Sequence, residues 1–265
     1  MVDLNDTDRW LCHYTSAEAA FTAILPDHRL RLSPYKRVRD PLENHDFLNI
    51  TLAGFDEGGG QLERAFGGAL EGLTRIRQNM RILCLTQGEP EWGSPFGCAW
   101  ARARMWEHYA DDHRGVCLVF DRDSLLTSVR EALATLETPF YEGAVTYTAE
   151  GFAGSHARHV GADDFPDGKP FERAAAEYVE QHHHDFFLLK TADWATEFEY
   201  RFAVISPEAS DEYLFIDYGE SLVAVLVGHA FPEWQETSAR EVCDQAGADF
   251  ARLNWDMGRP FPVRG

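Results

Sequence analysis

Apolar and polar positions recur with changing period along the chain, and each change marks an element. Trp10–Tyr14 (WLCHY) is a short apolar run that reads as a strand, and it leads straight into Thr15-Ser16-Ala17-Glu18. A hydroxyl followed three positions later by a glutamate is a capping box, so a helix is predicted to start with Thr15 as its cap. Ala20, Phe21, Ile24 and Leu25 give that helix one apolar face, and Pro26 is its expected end. Leu30–Ser33 is a second short strand, whereas residues 34–60 are turn-rich and carry no period. Gln61–Asn79 sets Leu62, Phe66, Leu70, Leu73 and Ile76 on one helical stripe. Ile82–Thr86 (ILCLT) and Val116–Phe120 (VCLVF) are almost wholly apolar, which predicts strands buried on both faces. Between them Trp100, Ala103, Trp106 and Ala110 have helical spacing, and Gly115 stops that helix.

Asp123–Leu136 and Glu172–Leu189 read as helices, with a strand over Phe140–Tyr147 between them. Phe198–Ile205 (FEYRFAVI) alternates for half its length, as a half-buried strand does. Strands over Tyr213–Asp217 and Leu222–Val227, a helix over Glu233–Ala246 and a last strand over Phe250–Trp255 complete the pattern. Strands and helices do not alternate strictly enough for a barrel or a doubly wound sheet, so the expected class is α+β in a single domain, 1–265. No internal repeat is visible. Gly58–Gly60 and His182–His184 are the low-complexity patches, and both are too short to link independent domains.

Composition narrows the class further. Of the 265 residues, 45% are hydrophobic and 13% aromatic, ample for a core and too rich for a disordered chain. No apolar run is long enough for a membrane span, and MVDLNDTDRW lacks the apolar segment of a signal peptide, so a cytoplasmic location is expected. Five cysteines without a CxxC fit a reducing compartment better than a disulfide framework or a zinc site. With 24 basic against 44 acidic residues the net charge is −20, which argues against broad binding to a nucleic-acid backbone. Local basic clusters at Arg29–Arg39 and Arg102–Arg114 still leave room for a small anionic ligand.

The familiar catalytic signatures are missing: no P-loop, no GxGxxG after a strand, no HExxH and no GxSxG. In His182-His183-His184-Asp185, neighbouring side chains diverge by about 100° on a helix, so the run is expected not to hold a metal. His108 and His113 flank Tyr109 without a third ligand at suggestive spacing. His13 and Tyr14 end an apolar strand just before a helix N-terminus, a place that suits an anion as well as a merely structural histidine. Glu197, Glu199 and Arg201 fall at i, i+2 and i+4, on one face of a strand, and form either a solvated ion-pair ladder or a site.

These pieces stand in a suggestive order. Cys12-His13-Tyr14-Thr15-Ser16 comes first, then Arg39-Asp40-Pro41-Leu42-Glu43, then Met105 through Cys117 (MWEHYADDHRGVC), then Lys190 through Arg201 (KTADWATEFEYR). Across residues 12–201 the chain resembles the bacterial domain-of-unknown-function family 2971, departing from it at Arg39, where the family usually has asparagine before Asp-Pro. The layout is in turn similar to the ADP-ribosyltransferase superfamily, including its DNA-modifying toxin branch: a His or Arg on the first core strand, an aromatic or hydroxyl residue midway and a Glu on a late strand. What that resemblance implies is a split, mixed or antiparallel sheet flanked by helices, with NAD as substrate. His13 would take the first position, Tyr109 or Trp106 the aromatic one, and Glu199 the last. Glu199 would stabilise an oxocarbenium-like ribose as nicotinamide leaves, and Glu197 would position the acceptor. His13, Tyr14 and Thr15 would hold the cofactor, Trp106 would stack on nicotinamide, and Arg31 or Arg201 would pair with the pyrophosphate. The implied role is transfer of ADP-ribose to a macromolecule, or NAD hydrolysis, in a toxin or phage-defence protein with a cognate antitoxin or defence partner. His13, Tyr14, Trp106 and Glu199 should then border one pocket. The rival readings are a catalytically inactive ligand-sensing or protein-interaction module on the same scaffold, and a metal-dependent nuclease or hydrolase built on His108 and His113.

Overall fold

The near-continuous apolar runs become the middle of a ten-stranded, mostly antiparallel sheet. The computed structural model describes residues 2–38, 40, 62–149, 171–206 and 212–263. Its strands are β1 (Trp10–Thr15), β2 (Arg29–Pro34), β3 (Met80–Gln87), β4 (Val116–Asp121), β5 (Phe140–Ala144), β6 (Thr146–Thr148), β7 (Leu189–Thr191), β8 (Glu199–Ile205), β9 (Leu214–Asp217), β10 (Leu222–Val227), β11 (Asp249–Asp256) and β12 (Arg259–Val263). The order is β12-β11-β10-β4-β1-β3-β2-β9, with β8 on the remaining edge of β3 and β5 beyond β8. Among the described residues only β10 and β11 run parallel within this sheet; β6 and β7 form a separate parallel pair.

Apolar side chains on both faces fix the centre. On β4, Leu118 and Phe120 join a core roofed by the helices Arg122–Ala134 and Glu236–Gln245, while Cys117 and Val119 face a second core with Trp10, Trp100 and Trp106. A third core packs the helices Leu62–Asn79 and Phe171–Phe187 over β3 and β8. Among the described residues no helix is long and apolar enough to cross a membrane. The result is a mixed α+β fold, as the pattern predicts.

Several elements differ in detail. Thr15 is not a cap but the last residue of β1, paired with Val116; Ser16 caps instead, its Oγ accepting from the Ala19 N–H at 3.1 Å. The helix then runs as Ala17–Ala19, a π-helical Ala20–Ile24 and Leu25–Asp27. Pro26 sits inside the last piece, and the reversal comes at His28, which is left-handed (φ 53°). Trp100–Ala110 is interrupted at Arg102 into a 3-10 turn, Ala99–Ala101, and a helix, Ala103–Tyr109. The single strand expected over Phe140–Tyr147 breaks at Val145, whose N–H goes to the Glu199 carbonyl as the chain leaves the large sheet. The long helix kinks at His182 (φ −117°) and ends at Phe187. β12 is a strand that the pattern does not announce, because Pro260 and Pro262 argue against one; it survives as an edge strand closed by a tight turn with Met257 and Gly258 at positive φ. β8 is buried almost throughout rather than half-buried, its charged residues included. Arg39, Pro41–Glu43, Gly58–Gly60 and Gln61 lie outside the described residues.

The irregularity that matters most is at β3. One of its edges pairs with β8 continuously, from Met80↔Ile205 to Thr86↔Glu199. The other edge is shared. β1 takes only its end, at Cys12↔Thr86 and Leu11↔Gln87, and β2 only its beginning, at Ser33↔Ile82 and Pro34↔Arg81. Between them Leu83, Cys84 and Leu85 have no strand partner on that side among the described residues.

Candidate functional site

A cavity of about 450 Å³ occupies this gap, within the range usual for small-molecule sites. Its lining contains four successive residues of β1, Cys12 to Thr15, and five of β3, Ile82 to Thr86. Side chains alternate across a strand, so a cavity lying on one face would meet only every second residue. Successive lining residues mean that the cavity reaches the strand edges themselves. His13 fills part of the opening, its Nδ1 donating to the Cys84 carbonyl at 3.3 Å. Burial pushes the His13 pKa down, only partly offset by that bond, and the nearby charge of Arg31 lowers it further. The ring is therefore held neutral with its proton on Nδ1, which leaves Nε2 as an acceptor.

The floor of the cavity is a buried ionic cluster. Arg201 holds both oxygens of Glu199, Nε to Oε1 at 2.6 Å and Nη2 to Oε2 at 3.0 Å, and gives Nη1 to the Phe187 carbonyl at 3.0 Å. Lys190 Nζ reaches Glu199 Oε2 at 3.2 Å and Glu197 Oε2 at 2.7 Å. Tyr109 donates its hydroxyl to the other Glu197 oxygen at 2.6 Å. Burial alone would push the Glu199 carboxyl up; the charges of Arg201 and Lys190 and the hydrogen bonds from Arg201 and Cys84 reverse this and hold it at about 2. Burial and Glu197 together push the Tyr109 hydroxyl far above its ordinary value, so it acts only as a proton donor in the hydrogen bond. Cys84 opens into the cavity beside Glu199; burial first, then that carboxylate, push its thiol well up and keep it protonated.

Local conformation brings these groups together. Lys190 is the middle residue of β7, and the 3-10 segment Ala192–Glu197 folds back over it, with the Trp194 ring 4.6 Å from Nζ. Phe198 is left-handed (φ 46°) and turns the chain into β8. Its carbonyl accepts from the Gln87 N–H at 2.8 Å, and Arg102 lies over its ring at 4.0 Å. Glu197 therefore belongs to the turn rather than the strand. It meets Glu199 because both reach Lys190, not because they share a strand face.

The mouth is different in character. Arg29 and Arg31 point outward from β2, between buried Leu30 and Leu32, and Arg37 follows from the next turn; all three are exposed and line the cavity. Arg31 and Arg37 both stack on Tyr213, at 4.3 and 4.9 Å from the ring centroid, and Arg37 also takes the Tyr213 hydroxyl as acceptor.

Of the residues singled out from the sequence, His13, Tyr14, Thr15, Arg31, Tyr109, Glu197, Glu199 and Arg201 all line this one cavity. Trp106 does not. It is wholly buried behind Tyr14, edge-on at 5.3 Å, with Nε1 donating to the Trp100 carbonyl at 2.8 Å. Of the two aromatic candidates, then, Tyr109 is the one at the cavity. The solvated ladder is also corrected, since Glu197, Glu199 and Arg201 are all buried. The rings of the histidine run go different ways: His182 onto Tyr178, His183 onto Tyr141 and His184 to the Thr146 hydroxyl. His113 lies against Trp106 and His229, and His108 is exposed. Among the described residues no cluster of three or more His, Cys, Asp or Glu is arranged to hold a metal. Sequence reasoning left Lys190 and Cys84 without a role, although Lys190 opens the last quoted block.

Residues 105–202 match the family model described as "Protein of unknown function (DUF2971)". That segment carries Tyr109, Lys190, Glu197, Glu199 and Arg201, whereas His13 and the arginines of the mouth precede it. No curated protein and no solved structure matches the chain.

Proposed function

We propose that this chain, which belongs to the DUF2971 family through residues 105–202, binds NAD in the cavity at the β3 gap and cleaves its nicotinamide–ribose bond. The observation that carries the reading is that one cavity joins His13, in the first strand, to Tyr109 and to the carboxylates of Glu197 and Glu199, which are far apart in sequence. The C–N bond breaks with its electron pair leaving on nicotinamide. Positive charge develops at the ribose carbon, and the carboxylates of the floor oppose it. An acceptor hydroxyl, amine or water then forms the new bond and gives up its proton. His13 Nε2, an acceptor by its tautomer, suits a ribose hydroxyl. Glu197, which holds Tyr109 and Lys190, suits the side from which the acceptor comes. Transfer to a macromolecule, in a toxin or phage-defence setting with a cognate partner, belongs to the same proposal.

One observation favours a second reading. Both oxygens of Glu199 already face cations, so much of its charge is spent within the protein. A ligand-sensing module without catalysis would have such a floor. The two readings separate on free nicotinamide, measured by chromatography after incubation with NAD. Catalysis predicts release that Glu199→Gln lowers by on the order of 100-fold, in protein shown still to be folded by circular dichroism. Binding of NAD without any nicotinamide release decides for the sensing module.

A further inference from the structure

We propose that Arg29, Arg31 and Arg37 form a clamp for two linked phosphate groups, and that this clamp fixes which way a nucleotide lies in the cavity. The inference rests on the reading of the cavity as a nucleotide site, and it assigns the phosphate end to the mouth.

Acidic residues outnumber basic ones by 44 to 24, so an exposed arginine on this chain is surrounded by available carboxylates. Among the exposed arginines, Arg9, Arg114, Arg130 and Arg173 have taken one, whereas Arg104 and Arg259, which stand apart from the cavity, have not among the described residues. The three arginines of the mouth have not: among the described residues none of them forms an ion pair with a carboxylate. Asp27 and Asp40 also line the cavity. The four charged residues of the floor, Lys190, Arg201, Glu197 and Glu199, cancel one another. Outside the floor, the three arginines outnumber Asp27 and Asp40, so the surplus of positive charge in the lining lies with the arginines of the mouth.

Its arrangement also suits an anion. Arg31 and Arg37 lie on the same Tyr213 ring, so two like charges are held beside one aromatic support. A guanidinium is a planar fork that takes two oxygens at once, and two neighbouring forks match two linked phosphates better than one carboxylate. Arg29, two residues before Arg31 on the same face of β2, adds a third fork about 7 Å away along the strand. Arg201 is unsuited to this role, because its Nε and Nη2 are committed to Glu199 and its Nη1 to Phe187. His13 adds no positive charge, since it is held neutral. With the phosphates at the mouth, the rest of the ligand points past His13 and Cys84 towards Tyr109 and Glu199.

The test is calorimetric titration with NAD, inorganic pyrophosphate and nicotinamide riboside, which has the glycosidic end of NAD but no phosphate. The variants are Arg31→Gln/Arg37→Gln and Arg31→Lys/Arg37→Lys; both sites are exposed, and an unchanged melting temperature confirms the fold. The glutamine pair should bind NAD and pyrophosphate about tenfold more weakly or worse, with a flatter salt dependence, while nicotinamide riboside is unaffected. The lysine pair should fall between, keeping the charge and losing the fork. Unchanged NAD and pyrophosphate binding in the glutamine pair overturns the clamp, as does an equal loss for nicotinamide riboside. If the wild type binds pyrophosphate but not NAD, and the glutamine pair loses it, the clamp stands and the NAD reading falls. If the wild type binds neither, the clamp is overturned.

Discussion

The two edges of β3 put the same strand to opposite uses. Along β8 the pairing is unbroken, and the charges beside it are buried, of both signs and matched: Arg201 lies opposite Cys84 and Glu199 opposite Thr86. Along β1 and β2 the pairing is interrupted, and the charges that β2 and the turn after it present there, Arg29, Arg31 and Arg37, are exposed and positive. The first arrangement makes a floor whose side chains hold one another in place, because a buried charge tolerates little freedom once its partner is set. The second makes a mouth whose side chains are left to meet whatever enters. The contrast divides stability from recognition within one strand's width.

Substitution should separate the two. Arg201→Met leaves Glu199 buried without its bidentate partner and should cost about 3–5 kcal/mol in urea denaturation; a loss as small as that of a surface residue would mean that the floor is not held as described. The acid limb of stability comes next. Glu199 has a carboxyl held at about 2, below its ordinary 4.5, so its contribution is fully present above pH 4.5 and lost as pH falls towards 2. Glu199→Gln should remove that part of the slope when denaturation midpoints are followed against pH. Tyr109→Phe deletes a hydrogen bond to a buried carboxylate and should cost about 1.5–3 kcal/mol in urea denaturation. His13, whose folded pKa lies below 6.5, should stay neutral in an NMR titration as pH falls through 6.5, and stability should decline from there downward as the unfolded chain takes up the proton first. At the small end, Arg31→Gln should move stability by no more than about 0.5 kcal/mol. A large effect there would erase the distinction between floor and mouth.

The centre of the fold is legible in the sequence because burial on both faces leaves no polar residues to confuse the period: ILCLT and VCLVF are β3 and β4 within two residues at either end. β8 is misleading for a related reason. FEYRFAVI alternates as if one face were wet, since nothing local reveals that Lys190 and the turn ending at Glu197 cover that face. Thr15 and Glu18 satisfy the spacing of a capping box, but the long pairing of β1 with β4 extends through Thr15 and moves the cap to Ser16. At the site, the quoted motifs contain the floor, and the basic run from Arg29 contains the mouth. What the residues do to one another was hidden, because Lys190 joins two carboxylates through tertiary contact and Phe198 changes the chain direction between them. Trp106 and Tyr109 sit three apart on one short helix; only the fold decides that Trp106 closes the core behind Tyr14 while Tyr109 reaches the cavity.

The open stretch of β3 has a consequence for how this protein can change over time. Where Leu83, Cys84 and Leu85 meet the cavity, part of the wall is main chain. A point mutation rewrites a side chain but leaves the peptide carbonyl in place, and it leaves the N–H as well unless it introduces proline. The arginines of the mouth can be exchanged one at a time by drift or selection. The peptide groups at the gap are inherited with the fold itself, so descendants of this chain can change the side chains around the recess far more readily than they can lose the recess.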